Sequence, residues 1–160
     1  MNKYLLIVLF FLMGLSIKAF SDNLLEGFDA YNKKDFFSAY NKWLPLAEEG
    51  DFIAQHSLGI LYKRGEGVSK NYNLSFKWFK LSAEQGYAFS QTALGDMYNN
   101  GFGIKKDNIK AFMWWYIAAD QHESDAKTLL KILSTKMTGQ DLEKAKNKVK
   151  ICYKKNLKNC

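Results

Sequence analysis

Long apolar runs are nearly absent from this chain of 160 residues. The only one runs from Tyr4 to Leu15, after the single basic residue Lys3 and ahead of small residues near Ala19 and Ser21. That order is the grammar of a secretory signal peptide, and the run falls short of the roughly 20 apolar residues that span a bilayer. Residues 1–21 are therefore expected to be removed after Ala19 or Ser21. The remaining chain would be secreted or periplasmic, with no transmembrane segment. The uncleaved alternative is a membrane anchor.

Residues that build catalytic or metal centres are also scarce. The chain has two histidines and two cysteines. His56 and His122 have no acidic or histidine cluster around them at ligand spacing, so no metal or cofactor site is expected. Cys152 and Cys160 lack the spacing of a redox pair, and no histidine lies near them. An even number of cysteines in an exported chain points to a disulfide, worth about 2.5 kcal/mol for so short a loop and fastening the C-terminus. Charge of one sign is absent from the body: residues 22–138 hold 14 basic and 14 acidic side chains. The excess sits in residues 139–160, where seven lysines face Asp141 and Glu143. Tyr153 is the one aromatic residue among those lysines, too little interleaving to support base stacking, so nucleic acid is not an expected partner. A solvated lysine face is the plain reading, and an anionic envelope surface the functional alternative.

What the chain does have is repetition. "LGILYKRGEGVSK" from Leu58 returns 36 residues later as "LGDMYNNGFGIKK" from Leu94. Residues 39–74 align on 75–110 without gaps at ten identities: Ala47/Ala83, Glu48/Glu84, Gly50/Gly86, Gln55/Gln91, Leu58/Leu94, Gly59/Gly95, Tyr62/Tyr98, Gly65/Gly101, Gly67/Gly103 and Lys70/Lys106. A third copy begins at Ala111, with Trp115 in register with Phe79 and Trp43. A fixed period of this length marks a stacked solenoid.

Each period reads as a helix–loop–helix pair. Ala54, Leu58, Leu61 and Tyr62 make one apolar stripe, and Phe76, Phe79 and Ala83 another. Trp78 and Trp114, beside those core positions, are candidate exposed anchors. Gly50 and Gly86 follow second helices, where a left-handed residue is wanted. Gly59 and Gly95 lie inside first helices at a cost of roughly 1 kcal/mol, which points to close approach of a neighbouring helix. The G-x-G loops lack the third glycine and preceding strand of a dinucleotide fingerprint, so turn geometry explains them. Asn71 or Asn73, and Asp107 or Asn108, can cap the helices that follow. Pro45 is expected to kink its helix, and Thr138 to cap the last one. Glu48, Glu84 and Asp120, at equivalent second-helix ends, are expected to tie repeats together through the N-terminus of the next helix.

"AEEGDFIAQHSLGILYKRGEGVSKN" and its copy "AEQGYAFSQTALGDMYNNGFGIKKD" resemble the Sel-one-like repeat (SLR) family, a branch of the tetratricopeptide-like α-solenoids. The resemblance covers residues 39–133. It implies an all-α, right-handed solenoid of antiparallel helix pairs, with about eight helices and no sheet, acting as an adaptor for other proteins. The expected division is a signal peptide (1–21), a capping pair (22–50), repeats at 51–86 and 87–122, a partial third repeat (123–138) and a basic C-terminal helix (139–160). By analogy with the family, first helices line the concave face, which makes His56, Ile60, Lys63, Thr92, Asp96 and Asn99 the candidate contacts to a protein or peptide. Some exported relatives are associated with penicillin binding, and Ser124 to Lys127 matches the S-x-x-K of serine enzymes of that kind. The chain has no K-T-G, and its only "SDN" falls at the expected cleavage site, so a non-enzymatic scaffold is the expectation.

Overall fold

A computed structural model of the protein describes residues 22–160, and the expected signal peptide lies outside the described residues. Eight α-helices and no strand are present among them. They are α1 (22–32), α2 (Phe36–Glu48), α3 (Phe52–Arg64), α4 (Tyr72–Ala83), α5 (Ala88–Asn100), α6 (Asn108–Asp120), α7 (Ser124–Ser134) and α8 (Gly139–Lys154). From α2 to α7 each helix packs on its neighbour in sequence, while α8 packs on α6. The result is an all-α solenoid.

The starts of the second helices show why the period holds. Asp35, Asn71 and Asp107 each accept a hydrogen bond from the backbone N–H three residues on, at 2.9–3.1 Å. Thr138 does the same for α8. Such caps satisfy donors that the first turn of a helix otherwise leaves open. Of the paired candidates, Asn71 and Asp107 are the caps; Asn73 is an exposed residue inside α4, and Asn108 is the first residue of α6. Pro45 lies within α2, which runs through it as one helix.

The G-x-G loops join consecutive pairs. Gly67 and Gly103 have φ of +70° and +69°, and a Cβ on either would sit 2.5 Å from backbone atoms of Phe36 or Tyr72, the first residues of α2 and α4. The second glycine of each loop therefore rests on the start of the second helix one pair earlier. Val68 and Ile104 tuck apolar side chains against the two halves of the core beside those loops.

A chain of glutamines, Gln55 and Gln91 buried and Gln85 and Gln121 exposed, runs through the same stack. Gln55 Nε2 donates to the Ala47 carbonyl and Gln91 Nε2 to that of Ala83, at 3.0 and 3.2 Å. Gln85 and Gln121 then donate to the Gln55 and Gln91 side-chain oxygens at 2.9 and 2.8 Å. The bonds to Ala47 and Ala83 join consecutive pairs, and the glutamine–glutamine bonds close α3–α4 and α5–α6 on themselves, so the buried amides leave few polar atoms unmatched.

Three expectations need correcting. Trp78 and Trp114 are buried, at 7% and 1% exposure, and are core rather than anchors. Helix α6 touches α5, α7 and α8, so it is apolar on nearly all sides and has no outward face at Trp114. The acids at second-helix ends do not reach the next helix. Glu84 accepts from Lys80 Nζ and from the Asn159 N–H, and Asp120 accepts from the Tyr153 hydroxyl. Both ties run to the C-terminal segment, and Glu48 makes no comparable bond among the described residues.

The C-terminal segment adds a helix to the outer layer, packed on α6 rather than paired with α7. The N-terminal residues of α8 adjoin those of α6, around Asp107, Ile109, Met137 and Thr138. Its far end meets the far end of α6 through Tyr153 and Asp120. Helix α8 thus runs parallel to α6 on the outer layer. The expected Cys152–Cys160 disulfide is present, with Cα atoms 5.2 Å apart.

The loop geometry separates two neighbouring glycines. Gly101 has φ of +74° with no atom closer than 3.5 Å to an added Cβ, whereas Gly103 meets the Tyr72 backbone. Gly101→Ala should lose only the left-handed penalty, about 1–2 kcal/mol. Gly103→Ala should lose that and a further 1–3 kcal/mol, roughly, from overpacking. Chemical denaturation of both variants checks the order.

Candidate partner-binding face

The first helices α1, α3, α5 and α7 form one layer, and the structure sorts the six candidate contacts on it into four places. His56 and Ile60 line a groove of about 400 Å³. Its other walls are Phe28, Tyr31 and the exposed Asn32 from α1, Trp43 from α2, Ile53 and Ser57 from α3, and Tyr87 and Phe89 at the start of α5. Lys63 and Asp96 face each other at 3.9 Å between α3 and α5. The Thr92 hydroxyl lies 2.7 Å from Glu123 Oε2 at the start of α7. Asn99 borders a separate recess of about 90 Å³ with Trp115, Leu129 and Ile132. The two polar pairs link successive first helices, so Lys63, Asp96 and Thr92 also belong to the frame.

The aromatic walls went unread in the sequence. Tyr87 holds the place where Asp51 caps α3, and α5 has no side-chain cap. Phe89 stands in register with Ile53 and is 56% exposed, a large apolar side chain left in water beside an apolar groove. The signal was available: a capping aspartate exchanged for tyrosine gives up about 1 kcal/mol of helix stability with no local return.

His56 forms the polar floor of the groove. Its Nδ1 lies 2.7 Å from Ser90 Oγ, and its ring packs against Phe79, Tyr87 and Phe89 at centroid distances of 5.3, 5.2 and 6.5 Å. Burial, with a smaller contribution from Lys63, pulls its pKa down to about 4. Burial pushes the Asp96 carboxyl up against the opposing pull of Lys63. A lysine at position 96 would therefore bring two cations together in a half-buried site, and loss of binding in such a variant would not separate contact from frame.

Ser124 and Lys127 are exposed at the start of α7, on one helix and one turn apart. No group of three or more His, Cys, Asp or Glu side chains among the described residues could hold a metal ion.

The Sel1 repeat family model matches residues 53–87 and 88–122, in register with the two complete helix pairs after the first. The chain carries two Sel1 repeats. Two solved structures place it further. The uropathogenic Escherichia coli protein c5321, a protective antigen displaying an SLR fold, matches at 25% identity and a TM-score of 0.77, over 81% of this chain and 29% of that one. A Sel1 repeat protein from Oxalobacter formigenes matches at 32% identity and a TM-score of 0.68, over 71% of this chain and 46% of that one. This Sel1 repeat chain thus spans less than half the length of either relative. Curated protein sequences gave no match.

The depressed His56 pKa sets a direction for acid stability. A base whose folded value lies below its unfolded value of about 6.5 takes up protons mainly when unfolded. Stability contributed by neutral His56 is present above pH 6.5 and is lost as pH falls towards 4. Melting at pH 6.5 and pH 5 should show a loss that shrinks in a His56→Phe variant, by up to about 1.4 kcal/mol per pH unit.

Proposed function

We propose that this Sel1 repeat protein is an exported, non-enzymatic scaffold that holds a protein or peptide partner on the concave face built by its first helices. The groove between α1, α3 and the start of α5 is the contact that carries the reading. It is apolar, open, and flanked by the exposed Phe89. Sel1 repeats serve generally as protein-interaction modules, and repeat solenoids present such faces as extended binding surfaces. Export is supported by the N-terminal apolar segment and by the Cys152–Cys160 disulfide, a bond that persists in oxidising compartments. No helix among the described residues is long and apolar enough to cross a membrane.

A second reading rests on α8. Lys144, Lys146, Lys150 and Lys154 are exposed along it, with Ile151 and Tyr153 exposed among them. This face would suit an anionic envelope polymer or lipid headgroup, and contacts of that kind are screened by salt.

The two readings part in one experiment. The mature chain is immobilised and exposed to envelope extract at low and high salt. An Ile60→Glu variant should lose its retained protein at least tenfold while melting within 2 °C of the parent. Retention that disappears in high salt and survives Ile60→Glu would move the function to α8.

A further inference from the structure

The hydrogen bonds beneath the groove determine which atom of His56 faces its occupant. The Phe52 carbonyl can only accept, so the single proton of Ser82 goes to it, at 2.7 Å. Ser82 Oγ must then accept from Ser90 Oγ, at 2.7 Å. With the Ser90 proton so used, Ser90 Oγ must accept from His56 Nδ1. The ring therefore carries its proton on Nδ1, and Nε2 is a bare acceptor. No group among the described residues bonds Nε2, and it is not sealed from solvent. The groove that His56 lines is its opening. Burial keeps the ring neutral well below pH 7, so the acceptor is permanent under ordinary conditions.

We infer that the groove selects a tryptophan side chain of its protein partner, with the indole N–H donating to His56 Nε2 between the rings of Tyr31, Tyr87 and Phe89. This rests on the scaffold reading above and names what that scaffold recognises. The walls ask for a flat apolar body, and the floor asks for one donor. Indole supplies one N–H for Nε2 and carries no acceptor of its own, so it matches the floor without drawing on Asn32, the exposed amide of the lining. A volume of about 400 Å³ falls in the range of ligand pockets. A second copy of this chain does not supply the group, because Trp43, Trp78, Trp114 and Trp115 are all buried, at 7% exposure or less.

The test uses the mature, disulfide-bonded chain labelled with ¹⁵N. Long-range proton–nitrogen NMR should show His56 protonated at Nδ1 and bare at Nε2 at pH 7; the opposite tautomer overturns the inference. The protein is then titrated with N-acetyl-tryptophanamide and with its analogue methylated on the indole nitrogen. The first should shift the Ile60 and Phe89 amides and the Nε2 resonance, and the methylated probe should bind roughly fivefold more weakly, the effect of one lost hydrogen bond. In His56→Phe, which keeps a ring in the floor, the two probes should bind alike. A His56→Gln variant, retaining an acceptor, serves if the phenylalanine variant melts early, and should keep part of the preference. Equal binding of both probes to the parent, or a preference that persists in His56→Phe, overturns the inference and leaves the scaffold reading standing. Binding of neither probe, in a protein whose partner capture still depends on Ile60, has the same two consequences.

Discussion

One contact recurs through the solenoid and sets the spacing of its two layers. A glycine in the middle of each first helix lies against an aromatic ring in the middle of its second helix. Gly59 meets Phe79 and Gly95 meets Trp115, so closely that an added Cβ would fall 2.6 and 2.5 Å from the ring. Gly27 meets Trp43 in the same way in the first pair. Glycine inside a helix is unfavourable on its own, and the buried ring offsets that only because the backbone comes near enough to cover it. With the layers held at that distance, the glutamine chain and the second glycines of the loops find their partners. Pairs α1–α2, α3–α4 and α5–α6 are built on this contact. At the C-terminal end the corresponding positions, counted from the caps of α7 and α8, hold Lys131 and Lys146, both exposed, and these two helices do not pack as a pair. The stack ends where the contact ends.

That ending explains the basic C-terminus without giving it a separate domain. Helix α8 buries Ala145, Val149 and Cys152 against the core and turns its lysines outward, as a terminal repeat with a polar outer face does. The disulfide closes the last turn, and the Asn159 N–H reaches back to Glu84. His122 takes the left-handed turn that glycine makes after the earlier second helices, with φ of +68°, a further mark of a repeat under relaxed constraint. The frame is thus tight in the middle pairs and looser at the end, and the groove lies where the tight pairs meet α1.

Much of this was legible in the residues. The period, the helix pairs, the close approach at Gly59 and Gly95, and the disulfide follow from spacing and side-chain size. The first pair and the last helix were harder to read for one reason: their connections are shorter. Gly27 precedes Gly59 by 32 residues rather than 36, and the α8 cap follows the α6 cap by 31. A gapless alignment at 36 therefore passes over both. Trp78 and Trp114 were misplaced because a helix covered by several neighbours has no single stripe. Of the six candidate contacts, only His56 and Ile60 share the groove. The register put all six on one helix face, but it carried no information about which of them neighbouring first helices would engage. The aromatic walls come from α1 and from the start of α5, brought together by stacking rather than by sequence.

The central claim is that the partner lies over the groove of the first-helix layer rather than along α8. A photo-crosslinking residue placed at Phe89 in one preparation and at Lys150 in another, each irradiated in envelope extract, addresses it directly. The account predicts a discrete crosslinked partner from position 89 and none from position 150. A partner captured at 150 alone would contradict it.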